Sequence, residues 1–291
     1  MRNLSDNFNL LPGEAFTALA DVANNLIDKI SNATGYLFMP HGKRKDKEEA
    51  IKYLIDNIRD NKDMPTYLKA VAISNSRILL KQYGNQQDVV SEAITYLKDT
   101  ATPEKMDDDW LMYFLDKAGS ISNRDVRIIY SNILAAEANS PGTASKALVN
   151  TISIMDKELA DSFRKMIKCM VYIKDEDDEE TPSIIYPLND EEVYNKSLMF
   201  SEIINLCGIG LIELQVIRGY VWNCKEINAR YGEEEFLLRA SGEANEIPIG
   251  NISLTKTGIE LATILTPEKE DGYFDKIKNY WSNNGIEVVE K

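Results

Sequence analysis

Histidine occurs once in this chain, at His41, and cysteine three times, at Cys169, Cys207 and Cys224. A Ser-His-Asp or Cys-His nucleophile would have to use that single imidazole. His41 stands between Pro40 and Gly42, where a turn is expected. Zinc usually takes several His or Cys ligands, which this chain can hardly supply, so neither a metal nor a cofactor is expected. An odd number of cysteines without C-x-x-C spacing excludes a disulfide framework and a zinc ribbon; buried free thiols in a reducing compartment are the expectation. No G-x-S-x-G elbow and no G-x-x-x-x-G-K-[ST] phosphate loop is present. Gly208-Ile209-Gly210 lacks a third glycine and follows a helical pattern, so it reads as a helix end leading into a strand. No run reaches the ~18 apolar residues of a membrane span. No basic start leads into an apolar stretch as in a signal peptide. The expected location is the cytoplasm.

What is present is acid. The 291 residues carry a net charge of −14, which repels nucleic-acid phosphates and anionic membranes. Hydrophobic residues at 44% and charged residues at 27% fit a chain that buries a core.

Helical periodicity dominates, and the fold class expected is mainly α: an elongated helical N-terminal and central bundle followed by a small α+β winged-helix-like module. Residues 1–100 read as long amphipathic helices and a region of oligomerisation. Within them Phe16, Leu19, Ala20, Ala23, Leu26, Ile27 and Ile30 recur at three and four residues, close to heptad spacing, opposite Asp21, Asn24, Asn25 and Asp28. Such a stripe serves a core or an oligomer seam; the seam residues would be Phe16, Leu19, Ala23, Leu26, Ile27 and Ile30. A helix from about Asp46 to Arg59 carries Ile51, Leu54, Ile55 and Ile58 on one face. A longer pattern from Thr66 to about Asp99 carries Leu68, Val71, Ile78 and Leu79, then Val89, Val90, Ala93, Ile94 and Leu97, with Gly84 able to bend or break it.

Residues 101–174 read as a compact helical domain. Trp110, Leu111, Phe114 and Leu115 form one face. Ser122 with Asp125 reads as a capping box for a helix bearing Val126, Ile129, Tyr130, Ile133 and Leu134. Thr143 or Ser145 can cap the next helix, and Asp156 the one after. Six consecutive acids from Asp175 to Glu180 favour a solvated linker, placed at 175–182. Residues 183–291 then mix a helix ending near Gly208, strands at Leu211–Leu214, Phe236–Leu238 and Ile249–Leu254, a helix capped by Thr255, and a last helix with Tyr273, Phe274, Ile277 and Trp281.

Three charged features could carry chemistry. The basic cluster Lys43, Arg44 and Lys45 could contact phosphate, although acids dilute it and a solvated helix start is the plainer reading. Asp107-Asp108-Asp109 fits a helix N-terminus, where acids meet the positive end of the dipole. Glu137 lies on the apolar face of Tyr130, Ile133 and Leu134, so it is expected to be partly buried and to need a partner. The backbone amides of the Pro141–Ser145 turn, Arg124 and Arg127 are the candidates.

The stretch Trp110-Leu111-x-x-Phe114-x-Asp116, then Ser122-x-x-Asp125, then Ile133-Leu134-Ala135-Ala136-Glu137-x-Asn139-x-Pro141-Gly142-Thr143-x-Ser145 resembles an uncharacterised bacterial family of helical proteins. That group is a domain of unknown function, often found in mobile or prophage-linked neighbourhoods. The stretch is also loosely similar to abortive-infection alpha proteins. Arg77, Gln82 and Asn85 upstream, and Gly208-x-Gly210-Leu211-Ile212 and Leu254-Thr255-x-x-Gly258-x-Glu260-Leu261 downstream, extend the resemblance. Where the family pattern often has Trp before the glutamate, this chain has Tyr130. The resemblance implies a structural role for Trp110, Phe114, Tyr130, Glu137, Pro141, Gly142 and Ser145, and a place in phage–host conflict. It carries no activity.

Together these features predict a non-enzymatic interaction and assembly protein, a homo-oligomer with a protein partner. The alternative is a nucleic-acid-binding regulator whose winged helix uses Arg218, Lys225, Arg230, Arg239 and Lys256. A carboxylate–metal hydrolase assembled from distant acids is a third class that no spacing favours.

Overall fold

The structure, a computed structural model, describes residues 13–35, 44–174, 180–190, 198–241 and 245–291, and their side chains except at 13–17, 44–48, 50 and 51. It divides into two compact units, Met1–Ser153 and Ile154–Lys291. Among the described residues, no helix is long and apolar enough to cross a membrane.

The first unit is helical. Its elements are α1 (Gly13–Thr34), α2 (Arg44–Asp60), α3 (Thr66–Ala93), two short 3-10 turns at Ile94–Tyr96 and Pro103–Lys105, α4 (Asp108–Ser120), α5 (Arg124–Asn139) and α6 (Lys146–Ser153). Local chemistry fixes their starts. Asp107 accepts a hydrogen bond from the Trp110 amide at 2.7 Å and caps α4, with Asp108 and Asp109 in the first turn. The cap of α5 is Asn123, whose Oδ1 accepts from the Asp125 and Val126 amides at 2.8 and 3.3 Å. The expected cap at Ser122 lies one residue too early, because the amide side chain of Asn123 does the same work. Gly84 neither breaks nor ends α3, which runs through it for 28 residues. Helix α3 packs on α2, α4 and α5, and α1 packs on α4 and the Pro103–Lys105 turn. Leu26, Ile30, Val89, Val90, Phe114, Ile129, Tyr130 and Leu134 form the buried interior.

The second unit corrects the expected fold class. Over the described residues the chain is 57% helical and 17% strand, and this unit is built on a sheet too large for a winged-helix tail. After α7 (Lys157–Ile167) come β1 (Met170–Lys174), β2 (Glu180–Ile184), α8 (Phe200–Gly208), β3 (Ile212–Leu214), β4 (Tyr220–Trp222), β5 (Glu226–Tyr231), β6 (Glu234–Ala240), β7 (Ile247–Gly250), β8 (Ile252–Leu254), α9 (Lys256–Leu265), α10 (Tyr273–Asn283) and β9 (Ile286–Glu290). Five strands form one antiparallel sheet in the order β2-β1-β5-β6-β9. Strands β3 and β8, and β4 and β7, form two small pairs. The molecule is therefore mixed α+β rather than mainly α with a small wing.

The physical reason is charge. Strands β1, β5, β6 and β9 carry cross-strand ion pairs in place of a clean apolar alternation. Arg239 pairs with Glu226 at 2.7 Å and Glu287 at 3.3 Å, and Lys174 with Glu235 at 3.1 Å. Lys174 also pairs in register with Glu180, so residues 175–179 connect two strands of one sheet. Their own placement lies outside the described residues. The two-unit division falls before α7, which groups with the sheet.

The sheet packs against α10, whose Trp281 and Ile277 are fully buried. The Phe236 ring lies 5.7 Å from that of Trp281 and 5.0 Å from that of Phe274. Between β7 and β8 the chain turns at Gly250-Asn251. Gly250 has φ +119, and a Cβ there would meet the Tyr186 backbone at 2.5 Å, so only glycine fits. Asn251 bridges three segments. Its side chain accepts from the Leu188 amide at 2.8 Å and donates to the Gln215 carbonyl at 2.6 Å, and its amide donates to the Tyr186 carbonyl at 3.0 Å.

Candidate functional site

The motif from Trp110 to Ser145 folds into a buried lock. Trp110 and Phe114, one turn apart on α4, stack with ring centroids 5.1 Å apart, and Phe114 meets Tyr130 of α5 at 5.3 Å. The Tyr130 hydroxyl donates to the Val149 carbonyl of α6 at 2.9 Å. Burial pushes its phenol well above the usual tyrosine range. Glu137 is only 3% exposed. Its two carboxylate oxygens accept from the Gly142 amide at 2.8 Å and the Ala144 amide at 2.9 Å. The turn amides, not Arg124 or Arg127, are thus its partners. Arg127 instead reaches Asp88 at 3.0 Å. Ser145 accepts from the Leu148 amide at 3.1 Å and caps α6. Asn139 clamps the loop before α4. It accepts from the Lys98 amide at 2.8 Å and donates to the Tyr96 carbonyl at 3.2 Å. Pro141 and Gly142 make the turn, with Gly142 at φ +93. A carboxylate holding two backbone amides has both oxygens engaged, which is the chemistry of a buttress.

The N-terminal stripe goes mostly inward. Leu26 and Ile30 are fully buried inside this chain, while Leu19, Ala23 and Ile27 are half-buried. Phe16 has no described side chain, and Lys43 and His41 lie outside the described residues. Arg44 and Lys45 open α2, again without described side chains. Two of the five cations expected to meet phosphate in the second unit, Arg230 and Arg239, are engaged with carboxylates. Arg230 holds Glu180 at 2.5 Å, and Arg239 holds Glu226 and Glu287. The Arg230 guanidinium donating to Glu180 holds that carboxyl below its ordinary range.

The α2–α3 hairpin presents an apolar surface. Its apolar side chains read as one face of each helix, and none of the described side chains from residue 52 to 86 is buried. Tyr67 is 78% exposed, Tyr53 70%, Leu79 62%, and Leu68 and Ile78 52% each, with Leu54 and Val71 also open. Leu54, Leu79, Leu80 and Tyr83 line a groove of about 320 Å³ between the two helices. Lys69 donates to the Arg59 carbonyl at 2.7 Å and fastens the hairpin at its turn. The signal was legible in one respect: Leu68, Val71, Asn75 and Ile78 follow heptad spacing.

A larger depression of about 620 Å³ lies on the second unit beside Tyr231, Glu234, Lys269, Asp275 and Lys278. Two of its lysines pair locally with acids. Lys269 meets Glu234 at 3.1 Å, and Lys278 meets Asp275 and Glu290 at 3.0 Å. Among the described residues, no three His, Cys, Asp or Glu side chains are grouped to hold a metal ion. The three cysteines are free thiols. Cys169 is buried, which pushes its thiol up to about 12, while Cys207 and Cys224 are partly exposed.

Residues 74–278 match a family described as proteins of unknown function, DUF2806. The match opens inside α3, so α2 lies before it. No curated protein and no solved structure matches the chain.

Proposed function

This chain belongs to the DUF2806 family, and from that premise we propose that it works as a non-enzymatic interaction and assembly protein whose docking element is the α2–α3 hairpin. One observation carries the reading: over residues 52–86 two packed helices expose two tyrosines and five aliphatic side chains, and none of the described side chains there is buried. Monomers rarely expose contiguous apolar patches beyond a few hundred Å², and a helix pair without a core gains little stability of its own. The central motif supports this division of labour, because its helices α4 and α5 pack on α3, whose buried side chains all lie at its C-terminal end. A part in conflict between bacteria and phage rests on the resemblance of the central motif alone.

The test is a photo-activated cross-linking residue placed at position 79 in the full-length chain in cells, with position 287 on the sheet as control. Discrete protein adducts at 79, lost in a Leu68→Lys background, are expected. Adducts no more frequent at 79 than at 287 would refute the proposal.

A further inference from the structure

We infer that the partner of the hairpin is a second copy of this chain, docked through α3 about a two-fold axis near Asn75. The inference rests on the assembly reading above and names its occupant. Leu68, Val71, Asn75, Ile78, Gln82, Asn85 and Val89 are spaced alternately by three and four residues, the a/d spacing of a coiled-coil seam. The C-terminal half of that seam is filled from within the chain. Val89 is fully buried, Asn85 donates to the Gly119 carbonyl at 2.7 Å, and Gly119 lies so close to Gln82 that a Cβ would come within 3.2 Å of it. Helix α4 ends there, at Ser120. Beyond it the same face of α3 continues with Leu68, Val71, Asn75 and Ile78, all exposed. The seam is therefore half occupied, and what fits the remainder is another helix.

Three features select a second copy as that helix. First, Asn75 sits in the middle of the open half. An amide both donates and accepts, so two copies on a two-fold axis satisfy each other there. A buried Asn at such a position also fixes register and partner number, whereas hydrocarbon would leave it unsatisfied. Second, the area is sufficient. Tyrosines bury on the order of 150–250 Å² each. With the five aliphatic side chains the hairpin offers several hundred Å², close to the ~800 Å² per partner of a standard interface. Third, the flanks are compatible. From Thr66 to Gln87, α3 carries Lys69, Arg77 and Lys81 and no acid. Lys69 is turned to the end of α2 and bound there, which leaves only Lys81 adjoining the seam. The residual like-charge repulsion gives the assembly a signature: added salt tightens it, whereas an acidic peptide or an anionic vesicle would be released by salt.

The experiment is sedimentation velocity on the full-length chain across the micromolar range at about 0.1 and 0.5 M salt, with Ile78→Lys and Asn75→Leu compared and helicity followed by circular dichroism. The expected result is a dimer that tightens with salt. Ile78→Lys, at an exposed position, keeps its helicity and weakens the dimer by about tenfold or more. Asn75→Leu retains or raises affinity and loses its restriction to two copies. A wild-type chain that stays monomeric at both salts overturns the inference, as does a dimer indifferent to Ile78→Lys. Binding to vesicles containing about a third phosphatidylserine, in place of self-association and weakening with salt, overturns it as well. A monomer that still gives adducts to another protein at position 79 removes the second copy and leaves the assembly reading standing.

Discussion

Replacing Glu137 by alanine removes a buried carboxylate and strands two backbone amides. The two differ in environment. Gly142 is exposed, so water can replace the lost acceptor; Ala144 is buried, and its amide has no such substitute. A hydrogen bond to a charged group contributes about 1.5–3 kcal/mol, the upper value applying where the deserted partner stays dry. The Gly142 bond at 2.8 Å belongs at the low end and the Ala144 bond at 2.9 Å at the high end. Their sum is about 4.5 kcal/mol. At roughly 2–4 °C per kcal/mol for a unit of this size, the helical unit should melt on the order of 10 °C lower. Glu137→Gln keeps one acceptor oxygen, which goes to the buried Ala144 amide, so about half the loss should return. The assay is thermal unfolding by circular dichroism, with hydrogen exchange at the Gly142 and Ala144 amides as the local readout. If Glu137→Ala melts with the wild type, or if the two amides exchange no faster than before, the carboxylate is not the keystone of the turn.

Four further outcomes follow from the same geometry. Tyr130→Phe removes the bond to Val149 without opening a cavity and should cost about 1 kcal/mol, read as a small fall in the melting temperature. Gly250→Ala cannot fit against the Tyr186 backbone, so the sheet unit should fail to reach its native near-ultraviolet signal. For Glu180, a carboxyl held low in the folded state contributes stability above the unfolded value of about 4.3. That stability is lost as pH falls through the folded value. Carboxyl NMR should place the Glu180 midpoint below the ordinary range and return it there in Arg230→Met. Finally, at pH 8 iodoacetamide should label Cys207 and Cys224 well before Cys169, whose thiol is both buried and held at about 12; equal labelling of all three would contradict the buried position.

The helices of both units were legible because their signals are local. A carboxylate on an apolar face facing a Pro-Gly turn announced its own partners, and Asp107, Asp156 and Thr255 cap the helices they precede in sequence. The sheet was not, because its order depends on pairings across long separations, as between Phe236 and Glu290 or Tyr172 and Arg230. Its strands also place charge on one face, which blurs the period of two. Residues 170–174 read as part of the compact helical domain, and they form β1. The Thr181-Pro182 pair read as linker, and it lies in β2. The stripe of α1 showed the opposite ambiguity. Periodicity located its apolar face correctly but gave no means to tell core from seam, and Leu26 and Ile30 turned inward. In α3 the same pattern held both roles in succession, one half covered and one half open.

The two outer strands of the five-stranded sheet bear on how this protein stays out of aggregates. A bare strand edge recruits further strands by hydrogen bonding, whatever its sequence partner. Here β2 places Pro182, which has no amide proton to donate, on one border, and β9 places Glu287 and Glu290 on the other. Ribbon-to-ribbon growth is discouraged on both sides by chemistry that costs the fold little. A protein that leaves a large oily helical face open at one site gains most from such guarding elsewhere, since contacts between molecules are then left to the surface whose geometry limits them in number.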